Sequence, residues 1–354
     1  MKSRLYKGFL SFVFIFLALI FFSVSSYAAT GFEGFAIYRN GAFLGTTWHA
    51  GLMDEAHPKK SLPVIHVGQS NDAVVFDSWE NFINKKTSNN NAFEGFYYPK
   101  SGIPSSAKRN AIKALARNLR TKNLLYTATK QIDYVNSSNT KVEPNELTHC
   151  RCDGLVEYCY EYNDIRIYGN NSYWNISIRG SEYLNHHSLT SITPEKQAKN
   201  YMNKWTPNNK VIYIVNKKSG KAFDVRGPSS ANGAIIQQWD YSNLSNQKFK
   251  LVYTSSGSYY SFIPQNATGS AVEVQNNSST NGAPIQIWAK PSTYLNSQRF
   301  RIVQNSVGAY KITTNGSGYS KVLDVTSGGL GNGVPLQVWT DNGTDAQQWF
   351  FVPA

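Results

Sequence analysis

Three sets of side chains in the C-terminal part of the chain combine an acid, an amide and an indole. In each set a Gln follows the acid by 13 residues and a Trp follows it by 15. The sets are Asp224, Gln237 and Trp239; Glu273, Gln286 and Trp288; and Asp324, Gln337 and Trp339. An indole covers the apolar face of a pyranose, whereas a carboxylate and an amide orient its hydroxyls. The pattern therefore predicts sugar binding.

Each set belongs to a sequence repeat of about fifty residues. A short β-branched segment carries the acid, an Asn-Gly pair predicts a tight turn, and an alternating segment predicts a strand that ends with Gln and Trp on one face. The turn pairs are Asn232-Gly233, Asn281-Gly282 and Asn332-Gly333. A unit of this length cannot bury a core alone, so the three units predict one all-β repeat domain.

Over residues 210–354 these motifs resemble the ricin B-chain type lectin domain, a β-trefoil. A second family mark, Gln-x-aromatic, ends the repeats as Gln247-Lys-Phe249, Gln298-Arg-Phe300 and Gln347-Gln-Trp349. The resemblance implies that this second mark is mostly core. It implies a complete sugar site in the first repeat, formed by Asp224, Gln237, Trp239, Asn246 and Gln247.

The second and third repeats depart from the family pattern. Glu273 replaces the Asp of the second repeat, and Ser297 takes the position of Asn246. The third repeat keeps Asp324 but has Ala346 at that position. The resemblance therefore ranks the sites first, third, second. The alternative is that the three Trp side chains are core residues, as repeated aromatic residues often are.

The N-terminal part has its own candidate for chemistry in the segment THCRCDGLVEYCYEYND. It contains all three cysteines of the chain, Cys150, Cys152 and Cys159, and an odd number leaves at least one unpaired. The spacing of Leu155 and Val156 predicts a helix from about Cys152 to Glu161, which puts Cys152 and Cys159 about 10 Å apart along the axis, too far for a disulfide. A cysteine at a helix start favours a thiolate nucleophile.

RCDGLVEYCYE resembles the nucleophile segment of NlpC-type peptidases, which have a papain-like fold; Arg151 and Asp153 differ from the family pattern. The family's His motif lies upstream here, as Trp48-His49-Ala-Gly-Leu52, and Pro63-Val-Ile-His66 falls where the family places a third polar residue. This order is similar to the circularly permuted branch of the family, over about residues 33–200.

The resemblance implies an antiparallel sheet that presents His49 and His66, with Cys152 at the start of a packed helix. It implies that Cys152 is the nucleophile, that His49 is the base and that His66 orients the imidazole. Backbone amides at the helix start would form part of an oxyanion hole. The alternatives are a buried structural thiol and imidazoles without a catalytic role.

Residues 1–28 have basic residues, a long apolar run and small residues at Ser26-Tyr-Ala28, which predicts a cleaved secretory signal and a secreted protein. No later apolar run is long enough to span a bilayer. We expect a papain-like α+β domain over 29–204, a linker over 205–210 and an all-β trefoil over 211–354. We expect few contacts between the two domains.

The net charge is +13, of which the signal segment carries three charges. No nucleic-acid-binding motif accompanies this charge, so nucleic acid is not an expected partner. A basic cluster lies on a predicted helix: Lys108, Arg109, Lys113, Arg117, Arg120 and Lys122. Such a face is either solvated or in contact with an anionic polymer. No metal or cofactor is expected, since His186-His187 lacks ligand partners at a suitable spacing.

The sequence leaves three functions open. The first is a cysteine hydrolase that cleaves an amide, such as a peptidoglycan peptide, and is targeted to glycans by a lectin domain. The second is a lectin or toxin-associated protein with an inactive papain-like domain. The third is a thiol acyltransferase or esterase of the permuted branch. The expected partners are a galactose-type or other pyranose glycan and a cell-surface polymer; the oligomeric state stays open.

Overall fold

The computed structural model describes residues 29–41, 47–68, 72–83, 92–169, 174–180 and 192–354. The predicted signal segment and His186-His187 lie outside these residues. The described chain forms an N-terminal region of sheets and helices, followed by a C-terminal region built from strands and short turns. No helix of the described residues is both long and apolar enough to cross a membrane.

The N-terminal region contains a six-stranded antiparallel sheet in the order β4-β3-β2-β1-β5-β9. Its strands are β1 (Ala36–Arg39), β2 (His49–Met53), β3 (Val64–Val67), β4 (Val74–Asp77), β5 (Phe93–Pro99) and β9 (Met202–Lys204). A smaller sheet contains β6 (Leu125–Tyr126), β7 (Ile132–Tyr134) and β8 (Leu147–Cys150), in the order β6-β8-β7. The antiparallel sheet and the strand positions of His49 and His66 agree with the sequence-based expectation.

Helix α3 (Cys152–Glu161) begins and ends where the sequence predicted, and all of its residues are buried. It packs against the face of the sheet that carries Tyr38, Ala50 and Leu52. A Cβ atom at Gly154 would lie 2.0 Å from the carbonyl oxygen of Gln131. Only glycine fits at this close approach, which explains one residue of the RCDGLVEYCYE segment.

The basic cluster lies on helix α2 (Ser106–Arg120), which follows the short helix α1 (Trp79–Ile83). The guanidinium of Arg117 donates two hydrogen bonds to the Asp54 carboxylate, at 2.6 and 2.9 Å. Lys113 and Arg120 form ion pairs with Glu33 and Asp72. Acids of the same chain therefore neutralise much of this cluster. Lys113 is buried, whereas Arg117 and Arg120 keep 48% and 40% of their side-chain surface exposed and remain part of a solvated face.

The C-terminal region folds as three similar units. The strands of residues 211–354 are β10 (Val211–Asn216), β11 (Ala222–Val225), β12 (Ile236–Trp239), β13 (Phe249–Thr254), β14 (Tyr259–Pro264), β15 (Ser270–Val274), β16 (Ile285–Ala289), β17 (Phe300–Gln304), β18 (Tyr310–Thr314), β19 (Lys321–Val325), β20 (Leu336–Thr340) and β21 (Trp349–Pro353). Each unit contains one hairpin that carries the predicted acid and Trp: β11/β12, β15/β16 and β19/β20.

The Asn-Gly turns join the three hairpins in a closed ring. Asn232 of the first unit accepts a hydrogen bond from the backbone of Ala289, the residue after Trp288. Asn281 and Asn332 accept the equivalent bonds from Thr340 and Asp240, the residues after Trp339 and Trp239. Each turn therefore holds the strand end of another unit, and the third unit closes on the first.

The two regions share one hydrophobic cluster, so the expectation of few contacts between them was wrong. The indole Nε1 of Trp79 donates a hydrogen bond to the carbonyl of Val307 at 2.9 Å, and its ring contacts Phe350 edge to face. Trp205, in the predicted linker, is buried in the same cluster. The apolar area of these aromatic side chains favours association of the two regions over a free linker.

Candidate functional site

In the first repeat, the hairpin register places the acid and the amide side by side. Asp224 lies directly opposite Gln237 in the β11/β12 pair. Nε2 of Gln237 donates to one carboxylate oxygen at 2.9 Å, and Nδ2 of Asn246 donates to the other at 2.8 Å. Burial raises the pKa of Asp224, and these amide hydrogen bonds oppose the rise. The result is a rigid acceptor at the base of the site.

The indoles of the three repeats are exposed beside these acids. Trp239 lies two residues after Gln237 on the same strand face, as the alternation predicted, and retains 41% of its surface. Trp288 and Trp339 retain 40% and 37%. By contrast, Phe249, Phe300 and Trp349 of the second motif are fully buried. The alternative that the first set of Trp residues is core is therefore wrong, whereas the second motif supplies the core, as the resemblance implied.

The second repeat keeps the arrangement with different side chains. Gln286 donates to Glu273 at 2.8 Å, and the Ser297 hydroxyl donates to the other carboxylate oxygen at 2.9 Å. Ser297 therefore replaces the hydrogen bond that Asn246 makes in the first repeat. The sequence treated this position as a defect of the second repeat. In the structure the hydroxyl supplies the same donor.

In the third repeat, Gln337 donates to Asp324 at 2.9 Å, and Ala346 offers no side-chain donor. Burial raises the pKa of Asp324, and hydrogen bonds from Gln337 and Gln347 and the charge of Lys218 oppose the rise. Trp339 lies beside this pair as Trp239 does beside Asp224. Asp324 therefore lacks the donor that Asn246 and Ser297 supply to the acids of the first and second repeats.

Gln247 differs from the other predicted sugar-binding residues. It is buried, its Oε1 accepts a hydrogen bond from the Ser242 amide at 2.7 Å, and its Nε2 donates to the Asp240 carbonyl at 2.8 Å. Both ends of the amide are therefore engaged by the backbone. Gln247 supports the loop after Trp239, and a direct sugar contact would require these bonds to break.

Sequence reasoning missed Arg226 at the edge of the first site. This exposed residue follows β11, and its Nε donates to Oε1 of Gln237 at 2.8 Å. One of its terminal nitrogens also reaches the carbonyl of Gly333. The equivalent residues of the other repeats are Gln275 and Thr326, so neither repeat has a cation at this position.

A second cluster lies in the N-terminal sheet, where polar residues of three neighbouring strands form a chain. Nε2 of His49 lies 3.0 Å from Nδ1 of His66, and Nε2 of His66 lies 3.3 Å from Oδ2 of Asp77. Burial acts to raise the pKa of Asp77, but hydrogen bonds from His66 and Asn81 hold that pKa below its usual value. Asp77 therefore orients His66, which in turn orients His49.

Sequence reasoning assigned no role to Asp77, although it lies only eleven residues after His66. It ends the strand Val74–Asp77, and this strand pairs with β3. An acid at the end of a strand that follows a candidate His strand was the available signal. The pairing of the two strands is what brings the carboxylate to the imidazole.

Burial lowers the pKa of His49 well below its usual value, and the charges of His66 and then Arg39 lower it further. His49 is therefore neutral at pH 7, the state that a general base requires. The rings of His49 and His66 meet edge to face, and both lie against Phe82. The surrounding rings hold the two imidazoles in one geometry.

Cys152 lies at the start of α3, and its thiol meets the backbone amides of Ala50 and Asp153. Ala50 is the residue next to His49, so the thiol lies near the start of β2. No hydrogen bond joins the Cys152 sulfur to either imidazole among the described residues.

The predicted thiolate is not the resting state of Cys152. Burial and the charge of Asp153 raise its pKa to about 12, and the two backbone amides and Arg151 only partly oppose this. The helix start favours the anion, but desolvation of a buried sulfur outweighs it. Cys150 and Cys159 are also free and buried, and burial raises the pKa of both.

Comparison with known proteins assigns the C-terminal region. Residues 201–288 and 296–354 match the family described as ricin-type beta-trefoil lectin domain-like. This match and the three-unit fold show that the C-terminal region is a ricin-type β-trefoil lectin domain. The match begins at residue 201, so most of the N-terminal region lies outside it. A comparison with curated proteins found no match.

Solved structures similar to the chain cover less than half of it. The designed three-fold symmetric protein ThreeFoil is 30% identical, over 41% of this chain and 99% of its own, with a TM-score of 0.38. An exo-beta-1,3-galactanase from Clostridium thermocellum is 26% identical, over 45% of this chain and 33% of its own, with a TM-score of 0.38. The Macrolepiota procera ricin B-like lectin, solved with lactose, is 18% identical, over 43% of this chain and 100% of its own, with a TM-score of 0.36.

Proposed function

We propose that the protein is a secreted cysteine hydrolase that cleaves an amide bond and is held at a glycan surface by its lectin domain. The observation that carries the hydrolase part is the chain of His49, His66 and Asp77, together with the contact of the Cys152 thiol with the amide of Ala50, the residue after His49. A nucleophile, a neutral base and a group that orients the base are the parts of a thiol hydrolase. The permuted papain-like order of His and Cys supports the same proposal.

The buried thiol fixes the form of the proposed reaction. With a pKa near 12, Cys152 transfers its proton to His49 as the sulfur attacks the amide carbonyl. The carbonyl carbon and the sulfur form a bond, and the amides of Ala50 and Asp153 are in position to stabilise the developing oxyanion. His49 then gives the proton to the leaving nitrogen as the C–N bond breaks. Water hydrolyses the thioester and regenerates the thiol.

The lectin part of the proposal is that the exposed Trp of each repeat stacks on a pyranose, of galactose type or another, whose hydroxyls meet the adjacent acid and amide. The exposure of Trp239 above the pair of Asp224 and Gln237 supports it. A weak sugar site linked to a catalytic domain raises the local concentration of substrate. A glycan of the same surface that carries the amide, such as peptidoglycan, is then the expected target.

The direct test compares Cys152→Ala with the wild-type chain on peptidoglycan peptides and model amides. The proposal requires that turnover disappears while glycan binding and the circular dichroism spectrum stay unchanged. Cys159→Ala is the matched control, because Cys159 is equally buried on the same helix but seven residues from the helix start. Equal turnover by Cys152→Ala would refute the nucleophile assignment.

A second candidate function is a lectin whose N-terminal region is not catalytic. The raised pKa of Cys152 and the missing hydrogen bond to His49 favour it. The same experiment separates the two candidates, since a purely structural thiol gives no turnover in any variant. Release of fatty acids instead of amino groups would point to an esterase of the permuted branch.

A further inference from the structure

Arg39 is a buried cation opposite His49, and no carboxylate of the described residues pairs with it. Only 8% of the residue is exposed, and its Nε is buried without a hydrogen-bond partner. A terminal nitrogen makes one long hydrogen bond, to the carbonyl of Asn40 at 3.3 Å. Among the ion pairs of the described residues, none involves Arg39. Burial of a guanidinium without an anionic partner is unfavourable in free energy, so such a group requires an anion.

The contrast with Arg151 shows what a satisfied buried arginine looks like in this protein. Arg151 is 3% exposed, and its guanidinium donates to both carboxylate oxygens of Asp153, at 2.6 and 2.8 Å. It also donates to the carbonyl of Ile192. Arg151 therefore has an acidic partner within the fold, whereas Arg39 has none among the described residues.

The position of Arg39 places it at the imidazole pair. In the β1/β2 ladder Arg39 lies directly opposite His49, and side chains of such a pair share one face of the sheet. Its guanidinium carbon lies 5.8 Å from the centre of the Phe82 ring, which also contacts the rings of His49 and His66. The cation and the proposed base therefore lie on the same face of the sheet, beside the same aromatic ring.

Arg39 is also electrostatically coupled to both proposed catalytic groups. Its charge lowers the pKa of His49, while the thiolate form of Cys152 would raise the pKa of Arg39 against the effect of burial. Guanidinium groups bind carboxylates through two parallel hydrogen bonds.

We propose that Arg39 binds a carboxylate of the substrate next to the amide bond that Cys152 attacks. The inference rests on the proposed hydrolase function and narrows it to acidic amides, such as peptides with a free carboxylate within about one residue of the scissile carbonyl. In this proposal the substrate carboxylate is the anionic partner of Arg39. Arg39 is in this role a specificity-determining residue.

The test uses two alkylating reagents of nearly equal size, iodoacetate and iodoacetamide, on the full chain. Both attack the same sulfur and lose the same iodide, but only iodoacetate carries a carboxylate. The ratio of their rates at Cys152, measured by peptide mapping at pH 8.5, therefore cancels any effect on the ionisation of the thiol. Arg39→Gln should lower the ratio of iodoacetate to iodoacetamide by about tenfold or more, the loss of a charge-assisted hydrogen bond. The rate ratio of Arg39→Lys should lie between those of the wild-type chain and Arg39→Gln.

An unchanged ratio in Arg39→Gln overturns the inference, even if both rates fall, because Arg39 would then act only on the thiol. If Arg39→Gln does not fold, the wild-type chain still decides: acetate should protect Cys152 from iodoacetamide and acetamide should not, and equal effects of the two overturn the inference. The hydrolase proposal fails by a different result, which is the absence of turnover or of any reaction at Cys152.

Discussion

Replacement of Trp239 by Ala should weaken glycan binding at the first repeat without destabilising the lectin domain. A fully exposed Trp presents about 250 Å² of surface. Since Trp239 retains 41% of its surface, about 100 Å² is available to a sugar. At about 25 cal/mol per Å², coverage of half to all of this area corresponds to about 1.2 to 2.5 kcal/mol. The dissociation constant should rise by about 10-fold to 70-fold.

The assay must measure sugar binding at the first site without contributions from the other two sites. Calorimetric titration with a galactose-type disaccharide is therefore made in a chain that carries Trp288→Ala and Trp339→Ala, which leaves the first site as the remaining indole site. Trp239→Ala is then added to that chain. Asp224→Ala provides an independent second disruption, through the loss of the hydroxyl acceptor.

Two results would refute this reasoning. If the affinity of the single-site chain is unchanged by Trp239→Ala, the exposed indole does not stack on the sugar. If Trp239→Ala lowers the thermal midpoint as much as Trp349→Ala does, the indole supports the core after all. We expect only Trp349→Ala to lower the free energy of unfolding strongly, by about 3 to 5 kcal/mol, because Trp349 is fully buried.

The other predictions concern the N-terminal region and its contact with the lectin domain. Cys152→Ala should abolish turnover and Cys159→Ala should not, as measured by the release of amino groups; His66→Ala should reduce turnover less than His49→Ala. kcat/KM should fall on acidification only below pH 6.5, because His49 must be neutral and its pKa is lowered; a profile that rises between pH 8 and 9 would instead indicate a preformed thiolate. Trp79→Phe should destabilise the chain by about 1 to 3 kcal/mol in urea unfolding, since it leaves the Val307 carbonyl without its donor; a change below 0.5 kcal/mol would contradict a tight interface.

The lectin fold could be predicted because its sequence motif is short and occurs in three repeats. The spacing of the acid, the Gln and the Trp fixes a hairpin register, and the register brings Asp224 opposite Gln237. The exposure of Trp239 follows from the same alternation. The role of Ser297 was missed because a hydroxyl and an amide look different in sequence, although both donate one hydrogen bond to the acid.

The N-terminal cluster was only partly predictable because its chemistry depends on burial and on strand neighbours. The start of α3 at Cys152 could be predicted from apolar spacing, but the raised pKa of the thiol follows from tertiary packing. Asp77 and Arg39 lie near the imidazoles because β1, β2, β3 and β4 pair side by side. No short sequence motif encodes this pairing. The tight contact between the two regions rests on Trp79 and Val307, 228 residues apart.

The ring of Asn-Gly turns makes each sugar site a joint product of two repeats. The strand that carries Trp239 is held by Asn332 of the third repeat, and the one that carries Trp288 is held by Asn232 of the first. A fragment that lacks the third repeat would therefore keep one of the three clamps, the bond from Asn232. The valency of this lectin domain cannot be reduced one repeat at a time: losing a repeat removes its own indole and also loosens a neighbour's.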